Sequence, residues 1–244
     1  MAAESTIFSV FSSGEFKLLI TFIFLGVVLL VCTKLGKTYL FACTVSYILV
    51  SNITVTKQVT VFGWSTSLGV VIYSLVYLAT DICSEYGDDP DDYRLAVMNV
   101  IAQLLFLVYI YLSIITPPDA KTDFAAPHIE KLFSTTLRIS IAAFIAALGA
   151  FADIWLYRFL KRKWPTGIIN LLVRNNVSTI FGQGVNTILF FFIAFYGVLE
   201  NLVQIIITAM IVKCIIAVLD TYFIVQVRYL RPSEWSHKPT WGKT

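Results

Sequence analysis

Apolar runs about as long as a bilayer is thick recur along the chain, and the polar residues that interrupt them fall into helical rows. Seven runs are read, at about residues 16–33, 38–56, 64–82, 94–116, 133–159, 177–197 and 199–229. Each is near the roughly 20 residues that a helix rising about 1.5 Å per residue needs to cross hydrocarbon. Strands of a membrane barrel would be shorter and would alternate apolar with polar positions, so the pattern predicts helices throughout. The expected fold class is all-α: a polytopic integral membrane bundle of about seven transmembrane helices, in one domain over residues 1–244. The first run lacks a basic start and "CTKLGK" offers no small-residue cleavage site, so it reads as a span and not as a cleaved leader.

Two runs carry polar stripes. In "RNNVSTIFGQGVNTILFFFIAFYG", residues 174–197, Asn176, Thr179, Gln183 and Asn186 stand at offsets 0, 3, 7 and 10. Those offsets fall within about 80° of one another on a helix, and isoleucine, leucine and phenylalanine fill the rest. Gly182 and Gly184 thin the same helix where another backbone could come close. After "WPTG", Asn175, Asn176 or Ser178 is read as the cap that starts this helix. The third run repeats the spacing with Ser74, Tyr77, Asp81 and Ser84, and Glu85 continues the face. Smaller sets are Asn52 with Thr56 and Lys57, Asn99 with Gln103, and Lys213 with Asp220 seven residues on. Ionisable groups inside a membrane span are costly and point to function by default. Each set also has a structural reading: amides and hydroxyls glue helices together, and Asp81 or Asp220 could pair with Lys213 or Arg138.

Composition agrees with a membrane protein. The chain is 58% hydrophobic and 14% charged, where a soluble domain carries about a quarter charged residues. Lys34 and Lys37, then Arg158 to Lys163, then Arg228, Arg231, Lys238 and Lys243 follow the first, fifth and seventh runs. These regions share one side, which the distribution of basic residues makes cytoplasmic. The expected placement is multi-pass in the plasma membrane, N-terminus outside and C-terminus cytoplasmic. The acidic loop "SEYGDDPDDYR" falls on the same inner side. Asp153, Arg158 and Arg174 lie near that side and are read as anchors, and "RPSEWSHKPTWGKT" as a flexible, interfacial tail. The net charge of +3 reflects this asymmetry and gives no sign of a nucleic-acid partner.

Cys32, Cys43, Cys83 and Cys214 are scattered without a CxxC or Cys/His spacing and read as free thiols. His128 and His237 fall in a loop and in the tail. No cofactor or metal is expected, and no GxSxG, HExxH or P-loop occurs, so an enzyme is not expected. A transporter needs a polar cavity in the bundle, which the stripes supply. A seven-helix retinal protein or receptor would use Lys213 with Asp81 as counter-ion, but the position one turn before that lysine is Ala209, not the aspartate of microbial rhodopsins.

The polar motifs resemble the queuosine precursor transporter family, also called the vitamin uptake transporter family, over about residues 48–228. "SNITVTKQVTVFG" looks like its N-x-x-x-x-K segment, with Asn52 and Lys57. "LATDICSEYGDD" is similar to its T-D-I-x-x-E signature, with Thr80, Asp81, Glu85 and Gly87. "LRISIAAFIAALGAFADIWLYRFLKRK" resembles its arginine helix that ends in an aspartate and a basic loop, with Arg138 and Asp153. "VRNNVSTIFGQGVNTILFF" is close to R-N-x-x-S-T-x-x-x-Q-x-x-D-T, and "VKCIIAVLDTYF" to K-x-x-x-A-x-x-D-T-P. This chain departs from the family pattern, which usually has an aspartate where Asn186 stands, a proline where Tyr222 stands, and a proline in the third helix that is absent around Ser74 to Tyr77.

The resemblance implies six core helices plus an N-terminal one, and import of a 7-deazaguanine such as 7-cyano-7-deazaguanine for tRNA modification. Another small polar heterocycle or vitamin is the alternative cargo. It implies a binding set of Asn52, Lys57, Asp81, Glu85, Asn176, Thr179, Gln183, Asn186, Lys213 and Asp220. Arg138, Asp153, Arg174, Asn99 and Gln103 are assigned structural or gating roles. A guanine-like base offers two adjacent donors beside a carbonyl, so a carboxylate, amides and a lysine suit it, and Phe62, Trp64 or Tyr77 could stack on the ring. The implied partners are this heterocycle and the lipid bilayer; a homo-oligomer, an external energising subunit or proton coupling is left open. Thiols introduced at Lys161 and Glu200 should label from the inside and the outside respectively; equal external labelling of both would overturn the assigned topology.

Overall fold

A computed structural model describes residues 14–61, 63–88, 90–117, 126–230 and 235, without the side chains of 126–135. His237, Phe62, the side chain of His128 and the tail beyond 230, except Trp235, lie outside the described residues. The described elements are α1 (Gly14–Leu35), α2 (Lys37–Thr54), β1 (Gln58–Val61), β2 (Trp64–Ser67), α3 (Leu68–Tyr86), α4 (Asp91–Ile115), α5 (Ala126–Ala147), α6 (Gly149–Lys163), α7 (Ile168–Phe195) and α8 (Leu202–Leu230). The polytopic helical bundle is therefore present.

Among the described residues, six stretches are long and apolar enough to cross a membrane, with α5 and α6 together forming one of 28 residues from Thr136 to Lys163. The seventh expected segment, α2, is shorter at 18 residues and ends in the polar run Ser51–Thr54. It folds back on α1 about Gly36, whose φ of 127° suits glycine. The Tyr47 hydroxyl donates to Leu25 O at 2.7 Å, which joins positions equidistant from that turn. α3 lies at the centre and is buried nearly all round, its polar stripe included.

Three boundaries differ from the expectation of uninterrupted helices. Residues 58–67 form an antiparallel hairpin with Val61 opposite Trp64. The alternation in "QVTV" and Gly63, at φ 77°, are its local causes. Thr66 and Ser67 are fully buried and β2 lies against α8, whereas Gln58, Thr60 and Trp64 are exposed. Ser67 then caps α3, accepting from Gly69 N at 3.2 Å. The fifth run breaks at Leu148, where Leu148 N bonds Ile145 O and Phe151 N bonds Leu148 O, each three residues back. α7 begins at Ile168 behind Gly167, at φ 95°, so Asn175, Asn176 and Ser178 lie about two to three turns inside it and cap nothing.

The basic and acidic loops meet at one end of the bundle. Lys37 pairs with Asp88 and, at 2.6 Å, with Asp91. Arg158 grips both oxygens of Asp92, at 2.5 and 2.9 Å, and stacks over Tyr93. The acidic loop is thus on the basic side because it neutralises the basic residues there. Trp235, read as part of a flexible interfacial tail, is buried beneath Lys37. The four cysteines are free.

Gly182 lets α6 and α7 touch: a Cβ there would sit 2.4 Å from Asp153 Cβ. At Gly184 a Cβ would meet only the end of Met210, at 3.2 Å. Gly182→Ala should lower the melting temperature of the purified protein, because overpacking of about 1–3 kcal/mol exceeds the roughly 0.5–1 kcal/mol gained in helix propensity. Gly184→Ala should leave it unchanged or raise it.

Candidate functional site

The polar faces of α3 and α7 meet along the bundle and divide into three levels. At the basic end Arg174 and Glu85 are both fully buried, and Arg174 Nη2 lies 2.7 Å from each Glu85 oxygen. Tyr157 donates to Glu85 Oε2 at 2.6 Å. Arg174 Nη1 donates to the carbonyls of Trp164 and Pro165 at 3.1 and 3.2 Å. Lys161 donates to Ser84 O at 2.6 Å and lies 3.5 Å from Glu85. A buried ion pair holds only when its remaining hydrogen-bonding positions are filled, and here they are. Arg174 is therefore not a lipid-facing anchor, and Glu85 is sealed rather than open to a ligand.

One turn deeper, Thr179 donates to Asp81 Oδ2 at 2.8 Å. Asp153 packs on Gly182, and the Ser178 hydroxyl faces it. Asp220 is fully buried with neither oxygen hydrogen-bonded, and Asn175 is likewise buried with both amide atoms unpartnered. Neither Asp81 nor Asp220 pairs with Lys213 or Arg138. Arg138 instead caps the end of α7, donating to Ile193 O and Tyr196 O at 2.8 and 2.7 Å.

The third level is a small cavity of about 40 Å³ between α2, α3, α5, α7 and α8. Asn52, Tyr73, Asn186, Thr187, Phe191 and Lys213 are among its lining residues. Lys213 is buried, donates to Thr187 Oγ1 at 2.8 Å and stands 5.8 Å over the Tyr73 ring. Asn186 Nδ2 donates to Ala146 O at the helix break, at 2.9 Å. Gln183, beside the cavity, accepts from Ser74 at 3.3 Å, while its Nε2 is buried without a partner. Asn52 donates to Gln103 at 2.6 Å, which ties α2 to α4 and leaves Gln103 Nε2 and Asn99 Oδ1 unpartnered.

The structure thus gathers nine of the ten expected binding residues along one buried polar seam; Asn176, bonded to Thr221 at 3.2 Å, is only half-buried. The exception is Lys57, exposed at the bend before β1 because α2 has already ended. The carboxylate expected in the cavity wall is absent among its lining residues, since an amide stands at 186. Trp64 is 44% exposed, and Tyr77 lies one turn from the cavity with its ring against Tyr73. Sequence reasoning missed Tyr73, Thr187 and Tyr157. The first two stand next to Ser74 and Asn186, so a wider stripe would have included them; for Tyr157 the sequence carries no such signal.

A family profile described as "Putative vitamin uptake transporter" matches residues 67–227. The chain is similar to a "Probable queuosine precursor transporter" of Bacillus subtilis (strain 168), 28% identical over 188 residues, 76% of this chain and 81% of that one. It is also similar to a "Queuosine precursor transporter" of Escherichia coli (strain K12), 29% identical over 152 residues, 60% of this chain and 62% of that one. No solved structure matches it.

Glu85→Gln should strand a buried guanidinium and destabilise the protein by about 3–5 kcal/mol, seen as an early thermal transition in detergent. Glu85→Gln combined with Arg174→Met should recover part of that loss.

Proposed function

The chain belongs to the vitamin uptake transporter family, and from that premise we propose that it imports a queuosine precursor of the 7-deazaguanine class. The observation that carries this reading is the cavity at the deepest level of the seam. Its polar groups, Asn52, Asn186 and Lys213, come from three helices, and Tyr73 and Phe191 give it flat apolar faces. A deazaguanine has the complementary form: a planar ring with an edge of two N–H donors and a carbonyl. An asparagine offers both a donor and an acceptor, and Lys213 supplies a cation for the carbonyl. The unpartnered Nε2 of Gln183 is a further donor beside this space. Each buried polar edge left unpaired costs about 1–3 kcal/mol, so a ligand that pairs them gains in both affinity and selectivity.

The seam also suits alternating access. The Glu85–Arg174 level closes the bundle at its basic end, and the cavity lies beyond it. With that end cytoplasmic, the cavity is separated from the cytoplasm by a layer of ion pairs whose parting would release cargo inward. The supporting observation is that basic residues from three helices, Lys37 of α2, Arg158 and Lys161 of α6 and Arg174 of α7, share one end with the acids that pair them.

The test is uptake of radiolabelled 7-cyano-7-deazaguanine by cells lacking their own importer and de novo synthesis, with modified tRNA as readout. Expression of this chain should restore labelled tRNA; failure with all 7-deazaguanines, by a protein present in the membrane, would overturn the assigned cargo. Gln183→Leu should weaken binding about tenfold or more, whereas Ile188→Leu, on the 54% exposed outer face, should be silent. A Gln183→Leu protein that melts early yet binds normally would make Gln183 a helix-packing residue only.

A further inference from the structure

The level between the ion-pair layer and the cavity has no use in the reading above. Asp81 from α3 reaches Thr179, and Asp153 from α6 packs on Gly182, so two carboxyl groups from different helices meet one face of α7 within a turn. Asp220 stands on α8, which packs against both α3 and α7, and is fully buried with neither carboxyl oxygen hydrogen-bonded. All three are at most 1% exposed.

Among the described residues no cation is paired with them. Of the charged groups on the helices packed around them, Glu85 and Arg174 are committed to each other, Arg158 to Asp92, and Lys161 to Ser84 O and Glu85. Lys213 is hydrogen-bonded to Thr187, eight residues along α7 from Thr179. Tyr73 and Tyr77 on α3 and Tyr157 on α6 are the nearby phenols; Tyr157 is spent on Glu85, and Tyr77 faces Gly182 O at 3.5 Å. Against this group stands Asn175, fully buried on the same side of α7 as Ser178 and Thr179, with both amide atoms unpartnered. Three unpaired negative charges at this depth would be prohibitively costly, so the set must exchange its charge for protons.

We propose that Asp81, Asp153 and Asp220 form a proton-carrying site that couples uptake to inward movement of a proton; this rests on the transporter function above. The proton binds from the side of the cavity, and none of the three carboxyl groups lines the cavity itself. Its link to cargo is α7: Gln183 and Asn186 stand at the cavity, Gly182 and Thr179 hold the carboxyl groups, and Arg174 closes the basic end. With proton and cargo both bound the set carries less charge, and α6 and α7 can part at the Asp153–Gly182 contact so that the cytoplasmic side opens. Proton and cargo then leave to the cytoplasm, and the emptied carrier closes there and opens outward before it is protonated again.

The experiment uses the purified full chain in proteoliposomes with labelled 7-cyano-7-deazaguanine. An acid exterior one pH unit below the lumen should drive accumulation up to about tenfold over equilibrium at zero membrane potential. A protonophore should abolish the excess. Asp153→Asn should abolish it too, while counterflow of unlabelled for labelled cargo continues. Accumulation in the wild type that ignores both pH gradient and protonophore, or transport that only equilibrates, would overturn proton coupling and leave the cargo assignment standing. If no 7-deazaguanine moves under any condition, the cargo assignment fails, and the proton site is judged by infrared difference spectroscopy alone. A protonated carboxyl C=O band at neutral pH that Asp153→Asn or Asp220→Asn removes supports the site; a spectrum without that band overturns it.

Discussion

The contact on which the bundle depends is the one between Arg174 and Glu85. A guanidinium with no exposed surface can stay in a membrane protein only where every donor has an acceptor. That requirement fixes far more than a pair. It sets α3 against α7 through Glu85, brings α6 in through Tyr157, and holds the turn after α6 through the carbonyls of Trp164 and Pro165. Because α7 starts only a few residues after that turn, its rotation is set there, and all later polar positions on α7 inherit it.

That rotation explains why one helix serves three tasks in sequence. Successive turns of α7 present a guanidinium to the ion-pair layer, a hydroxyl and a glycine to buried carboxyl groups, and amides to the cavity. The glycine matters as much as the polar residues: at Gly182 the absence of a side chain is what admits Asp153. The hydrophobic remainder of α7, including exposed Ile180, Phe181 and Ile188, meets the surroundings of the bundle and leaves the inner face free for chemistry.

Much of this was legible from helical periodicity, since Thr179, Gln183 and Asn186 share a face whatever they pack against. The spans were legible for the same reason: hydrocarbon imposes a length and a helical backbone. What stayed hidden was whatever a neighbour decides. Asn176 and Asn175 differ by one position, yet the one bonds Thr221 half-exposed and the other is buried without a partner, and only the packing of α8 separates them. Glu85 looked like a ligand for cargo because nothing in the sequence says that Arg174, 89 residues away, will occupy it. The hairpin at 58–67 was hidden inside an apolar context in which short alternating runs and helix ends look alike, and Lys57 was assigned to the site by the family-like spacing from Asn52, which does not reveal that α2 ends at Thr54. The early start of α7 was masked by good capping residues at 175–178 that the protein uses for other purposes.

The break at Leu148 has one further consequence. It sets the carbonyl of Ala146 against Asn186, so part of the cavity wall is main chain. A main-chain acceptor is present whatever side chain evolution places at 146, and no single codon change there deletes it. What can drift among relatives is the residue that faces it. The aspartate of the family pattern could satisfy that carbonyl only as an acid, whereas the asparagine in this chain does so by its own N–H. With the amide in place, this corner of the cavity is indifferent to acidity.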